Sequence, residues 1–382
     1  MNKVRFHALD SWRGVCALLV ALFHLQAYGH FYTNPLIRNS WLFVDFFFVL
    51  SGFVISHAYM DRIRTKLDFG NFLIRRFGRL WPLHMTVLAA FFIVQLTKFL
   101  FQSVSHIPVS HPAFTGTFEP IAIFTNALLI QSFGIHDQLT WNYPSWSIAT
   151  EFFTYVLFGI LILSIKHQKN LVLCTALISA IGLCVLLKFS PNGMDSTFDF
   201  GFFRCIYGFF LGHLTYRLWK AGYCLSFLSK YSLVEIPTIL LVIAFISLSW
   251  KTNFTYFAPI IFALVVWVFT NETGWISRVM NARAFTLLGK WSYSIYMVHA
   301  LILLLLGSGM HLIKAITKIP IQITMIFPWQ DTPQKLYFIK NQWLMDALAL
   351  IYLAIIVALA AITFVQVEKR GQRFFNAFAK EK

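Results

Sequence analysis

The chain has 382 residues, of which 58% are hydrophobic, 42 are phenylalanine and only 12% are charged. A soluble domain has about 25% charged residues, so the composition excludes an ordinary soluble globule and points to an integral membrane protein. The net charge of +16 comes with no nucleic-acid-binding motif; basic loops held on the cytoplasmic side of a bilayer account for it instead.

A spanning helix needs about 20 mostly apolar residues. Such runs predict ten spans, at 9–29, 40–60, 80–101, 145–165, 171–189, 200–218, 233–250, 254–270, 289–309 and 343–366. Lys3 and Arg5 precede the first run, and no small-residue cleavage site follows it, so it is expected to remain as a first helix. Placing the N-terminus in the cytoplasm puts most of the 31 basic residues in inner loops and leaves the outer loop 102–144 without Lys or Arg. The apolar segment 118–134 is expected to lie at the outer interface or to re-enter, because a crossing there would turn the later basic loops outward. The expected fold class is therefore all-α: a polytopic membrane protein of about ten transmembrane helices, with N- and C-termini cytoplasmic and no soluble domain. One membrane domain is expected over 1–382. The five cysteines, Cys16, Cys174, Cys184, Cys205 and Cys224, have no C-x-x-C spacing, which argues against a zinc site or a disulfide framework.

Ionisable groups inside a bilayer are costly and mark candidate sites. In "DSWRGVCALLVALFHL" (10–25), Arg13 and His24 are eleven residues apart. That is about three helical turns, so they share one face and lie ~16 Å apart along the axis. Singly, a snorkelling arginine or an interhelical histidine is as good a reading as function; the shared face favours function. In "RRFGRLWP" (75–82), Arg76 and Arg79 share a face, and Pro82 suits the first turn of a new helix. Paired guanidiniums can grip phosphates, although composition alone favours topology for both. Asp45 lies in the second predicted span and needs a partner such as Arg204 or His24. Ser51-Gly52 on the same span permits close helix approach. Glu151, several residues into the fourth span, could orient a histidine; a buried structural carboxylate is an equal reading. Arg204 and His299 sit within the sixth and ninth spans. His106, His111 and His136 lack ligand spacing and read as polar loop residues. No phosphate loop, H-E-x-x-H or G-x-S-x-G is present, and no metal site is expected.

Taken in order, these stretches resemble acyltransferase family 3, bacterial inner-membrane acyltransferases that modify cell-surface sugars. "LDSWRGVCALLVALFH" is similar to the family's first-helix signature of an arginine, ten residues and a histidine. "FVDFFFVLSGF", the R-x-x-R of "RRFGRLWPLH", "SWSIATEFFTYVLF" and "LGKWSYSIYMVH" resemble its later motifs. The opening Asp-Ser-Trp-Arg departs from the more usual Asp-Gly-Leu-Arg, and no C-terminal esterase-like domain is expected. The resemblance implies transfer of a short acyl group, most often acetyl, from cytoplasmic acyl-CoA to a hydroxyl of a surface glycan or its lipid-linked precursor. Acyl-CoA would be a co-substrate, with no cofactor. His24 would be the general base, with Glu151 or Asp45 orienting it. Arg76 and Arg79, with Arg13 close by, would hold the CoA phosphates; Arg204 and His299 are further binding candidates. A transporter or flippase of a lipid-linked sugar is the rival reading. It would also need charges in the membrane, but the two related halves common in transporters are not evident.

Overall fold

The computed structural model describes residues 5–105, 112–223, 234–250, 252–318, 321–327 and 332–379. Lys3, Cys224, His106 and His111 lie outside the described residues. The helices in chain order are α1 (His7–His24), α2 (His30–Thr33), α3 (Pro35–Arg38), α4 (Phe43–Tyr59), α5 (Lys66–Ser105), α6 (Ile121–Ala127), α7 (Trp146–Ser164), α8 (Gln168–Phe189) and α9 (Gly201–Lys220). They continue with α10 (Glu235–Leu248), α11 (Ala258–Phe269), α12 (Trp275–Met280), α13 (Arg283–Thr317), α14 (Gln342–Thr363) and α15 (Lys369–Asn376).

A helix lies at each of the ten predicted positions, but among the described residues six stretches are long and apolar enough to cross a membrane. They are Ser40–Tyr59, Lys66–Val104, Tyr143–Ser164, Gln168–Phe189, Arg283–Met310 and Gln342–Asn376. α10 and the stretch Asn253–Phe269 are shorter, and α1 and α9 interrupt their apolar runs with charged residues and histidines. α8 shows the packing logic. Leu173, Leu177 and Ile181 are exposed along one stripe, whereas Leu171, Thr175, Ser179 and Gly182 are buried. Small residues pack and large apolar ones face outward, as lipid requires.

The chain forms two compact units, residues 1–50 with 217–362 and residues 51–216 with 363–382. In the first, α1 packs along α13. A Cβ on Gly14 would collide with the backbone of Leu288 and Gly289, and one on Gly289 with the backbone of Asp10. Glycine at both points lets the two backbones touch. Gly14 meets Gly289 and, ten residues further along each helix, His24 meets His299, so the helices run parallel. Gly14→Ala is expected to lower stability by about 1–3 kcal/mol through overpacking. Gly70→Ala, where nothing lies within 4 Å, should be neutral or stabilising. Melting of the detergent-solubilised variants measures both, and equal melting temperatures would refute the close-approach argument.

The fold is predominantly helical, as expected, with a short hairpin in this unit. β1 (Gln322–Met325) and β2 (Gln334–Tyr337) pair antiparallel, with Gln322 opposite Tyr337. The hairpin corrects the span 9–29, which ends at His24. Tyr337 N–H donates to Gln26 O at 2.8 Å, and Tyr28 N–H donates to Tyr337 O at 2.9 Å. Residues 26–28 leave the helix because β2 satisfies their backbone groups.

In the second unit, Pro82 does not open a new helix; α5 runs unbroken for 40 residues with Pro82 inside it. The ring of an internal proline crowds the residue four positions earlier. Here that residue is Gly78, which also receives the ring of Phe375 from α15. Gly371 of α15 lies in turn against Pro82. Gly52 abuts the backbone of Phe209 in the close approach the sequence predicts. In 118–134 the regular helix is α6, of seven residues. At ~10 Å that is too short to cross a bilayer.

Candidate active site

The α1–α13 seam gathers three of the predicted site residues. Arg13 donates through Nε to Ser292 Oγ at 2.8 Å and through Nη2 to Gly289 O at 3.3 Å, and pairs with Asp10 at 3.5 Å. His24, on the same face of α1, meets His299: His299 Nε2 lies 3.2 Å from His24 Nδ1, and the ring centroids are 5.1 Å apart. The eleven-residue spacing thus points both Arg13 and His24 at one partner helix.

The backbone fixes the tautomers of the two imidazoles. His299 Nδ1 lies 2.7 Å from Tyr296 O. A carbonyl only accepts, so Nδ1 carries the proton and Nε2 a lone pair. His24 Nδ1 lies 3.0 Å from Val20 O and also faces the His299 lone pair, so it carries the proton of His24. The basic nitrogen of His24 is then Nε2. A neutral histidine of fixed tautomer, with a second imidazole ready to accept from its Nδ1–H, is a geometry for taking up a proton.

Arg38, at the end of α3, completes this end of the first unit. Its Nη2 donates to Leu22 O at 3.2 Å and Phe23 O at 2.7 Å, and its guanidinium lies 4.0 Å from the Tyr32 ring centroid. Burial lowers its pKa to about 10, so it stays charged at neutral pH. At the other end of α1, Glu272 accepts from Ala8 N–H at 2.7 Å and caps the helix N-terminus. Burial raises the pKa of Glu272, and that backbone bond opposes the rise.

The second unit holds the other candidates except Asp45, which lies in the first. Tyr155 OH donates to Glu151 Oε1 at 2.6 Å and lies 3.0 Å from Ser51 Oγ. Arg76 donates to Tyr59 OH at 3.2 Å; the Tyr59 ring packs tilted against Phe72 at 4.8 Å, and Phe72 is 6.0 Å from Tyr155. Arg79 pairs with Glu368, a fully buried carboxylate in a π-turn, Phe364–Glu368. The two arginines share a helix but not a partner. Arg204 is buried against Trp146, 5.3 Å from its ring centroid, and donates to Ser196 O at 3.4 Å. Nearby Asp195 has its pKa raised by burial, with Arg204 opposing. Asp45 is fully buried in the first turn of α4. His136 is a polar loop residue, as expected, and its Nε2 lies 2.7 Å from Thr125 Oγ1.

Comparison with known proteins decides the family. The family described as "Acyltransferase domain" matches residues 6–365. The chain belongs to this acyltransferase family. A Staphylococcus aureus protein named "Putative O-acetyltransferase" is 24% identical over 320 residues, covering 78% of this chain and 51% of the relative. "Acyltransferase MdmB" of Streptomyces mycarofaciens is 28% identical over 194 residues, 48% of this chain and 46% of the relative. "Protein 2 in picA locus" of Rhizobium radiobacter is 43% identical over 93 residues, 23% of this chain and 47% of the relative. The chain spans about half the length of these curated relatives. No solved structure matches.

Sequence reasoning about this acyltransferase missed Arg38, Tyr155 and Glu368. Tyr155 was open to it, since it lies four residues after Glu151 on one helix face. Arg38 also left a signal, being a basic residue in a loop that the expected orientation puts outside, where charge patterning does not call for one. Glu368 left none, because its pairing joins segments almost 300 residues apart.

Proposed function

We propose that this family member is a membrane-bound O-acyltransferase. It moves a short acyl group, acetyl by preference, from cytoplasmic acyl-CoA to a hydroxyl of a surface glycan or its lipid-linked precursor, in the inner membrane. The observation that carries the reading is the pair of imidazoles at the end of α1, with Nδ1 of His24 held by Val20 O and His299. His24 Nε2 takes the proton of the acceptor hydroxyl as its oxygen attacks the thioester carbonyl. The tetrahedral intermediate then expels the CoA thiolate, which takes the proton from His24. His299 is a positioning residue: it keeps the His24 proton on Nδ1 and accepts from that N–H when the imidazolium forms.

The carboxylates and arginines fill the remaining roles. Asp45 supplies negative charge that favours a transient imidazolium, and Glu151, oriented by Tyr155, is a second acid/base candidate. Arg76 and Arg79 answer the phosphates of CoA, and Arg13 and Arg204 are further binding candidates. The relatives named for acyl and O-acetyl transfer support the reaction class. The test is purified protein in lipid vesicles given acetyl-CoA and a glycan acceptor. CoA thiol should be released in step with a mass increase of one acetyl group on the acceptor. Movement of the glycan across the vesicle without acylation would overturn the reading.

A further inference from the structure

A helix ends with four backbone carbonyls that its own amides do not reach. Glycine in a left-handed cap commonly solves this. α1 has no such cap; Leu25 follows it in extended conformation, with φ of −75°. Side chains serve three of these carbonyls instead. Tyr352 OH donates to Ala21 O at 3.2 Å, and Arg38 donates to Leu22 O, which also accepts from Leu25 N–H, and to Phe23 O. One residue before them, Val20 O accepts from His24 Nδ1–H at 3.0 Å. The hydrogen bond that fixes the tautomer of His24 therefore belongs to the same turn that Arg38 and Tyr352 hold. If the turn loosens, Val20 O moves and His24 loses its fixed direction.

Arg38 is an expensive way to end a helix. It is 6% exposed, and its Nε–H is buried without an acceptor. Among the described residues no carboxylate pairs with it; two carbonyls and the hydroxyl and ring of Tyr32 balance its charge. Burying a cation with so little compensation costs stability, and a terminal glycine would end the helix without that cost. What a glycine would not supply is a rigid, planar fork on two consecutive carbonyls. We propose that Arg38 is a positioning residue for acyl transfer, locking the last turn of α1 so that His24 Nε2 points at the acceptor hydroxyl, with Tyr352 holding the same turn from α14. This rests on the reading of His24 as the base.

The full chain in lipid vesicles tests it, with acetyl-CoA and the glycan acceptor as substrates. The readouts are kcat per folded protein, the KM for acetyl-CoA and the melting temperature. A misplacement of about 1 Å can cost about 100-fold in rate. Arg38→Met is expected to lower kcat by about 10- to 100-fold with the donor KM unchanged. Arg38→Lys, which keeps the charge and can reach one carbonyl, should recover part of the loss. Tyr352→Phe should lose only a few-fold. A kcat of parental size in Arg38→Met would overturn the proposal and leave Arg38 as a fold element. So would a raised KM at parental kcat, which would make it a substrate-binding group. Should Arg38→Met fail to fold, Arg38→Lys decides: reduced kcat at the parental melting temperature supports the proposal, and parental kcat removes it. His24→Ala in parallel separates the two readings. Full activity there fails the base assignment, whereas an inactive His24→Ala beside a fully active Arg38→Met fails the positioning proposal alone.

Discussion

His24→Ala is expected to abolish acyl transfer while leaving the protein inserted and folded. A positioned general base contributes about 100- to 10,000-fold, and no other described residue on the α1–α13 seam can take its place directly. His299 Nε2 accepts from His24, so it sits behind the base and does not substitute for it. The fold should survive for a local reason. The bonds that hold this end of α1 run from Arg38 and Tyr352 to backbone carbonyls, which alanine leaves in place, and alanine is a better helix former than histidine. His299→Ala should cost less, about tenfold, because Val20 O still holds Nδ1 of His24. Turnover of acetyl-CoA by the three proteins, normalised to folded protein, measures this. Full activity in His24→Ala, or a larger loss in His299→Ala than in His24→Ala, would remove the base from His24.

The order of those losses follows from a feature the sequence does show and one it does not. Eleven-residue spacing puts Arg13 and His24 on one face whatever that face meets. Their actual partners, Ser292 and His299, come from a helix almost 280 residues later, and no periodicity in either segment names the other. The glycines that bring the helices together are legible only as gaps, since Gly14 and Gly289 become a contact once the pairing is known. The same limit explains the hairpin. Residues 322–325 and 334–337 are short, and the backbone of 26–28 leaves the helix only because Tyr337 is there to receive it. Apolar length alone extended the first span to 29. Charge patterning did better on 118–134, because a crossing there has a global consequence for every later loop. Pro82 misled for a local reason: proline is a good first-turn residue, but α5 continues through it, with Gly371 of α15 packed on its ring.

The second large effect is expected at Arg79. Arg79→Ala would leave the Glu368 carboxylate, which is fully buried, without this guanidinium. Removing one member of a buried ion pair costs about 3–5 kcal/mol, a large share of the stability of a typical fold. The variant should therefore melt well below the parent and accumulate poorly. Glu368→Gln in the same chain should recover much of the loss. The amide needs no counter-charge and fits the same π-turn, where Gln372 Nε2 already approaches the Glu368 carboxylate at 3.4 Å. Arg76→Ala should destabilise far less, because its hydrogen bond is to the neutral Tyr59 hydroxyl. The double variant Arg79→Ala with Glu368→Gln then separates the two roles open to Arg79. It is folded but lacks the cation, so a weakened acetyl-CoA KM in it would assign Arg79 to the donor phosphates as well as to the fold. A parental KM would leave that task to Arg76. Failure of Glu368→Gln to restore the melting temperature would mean that the buried carboxylate is not what makes the loss of Arg79 costly.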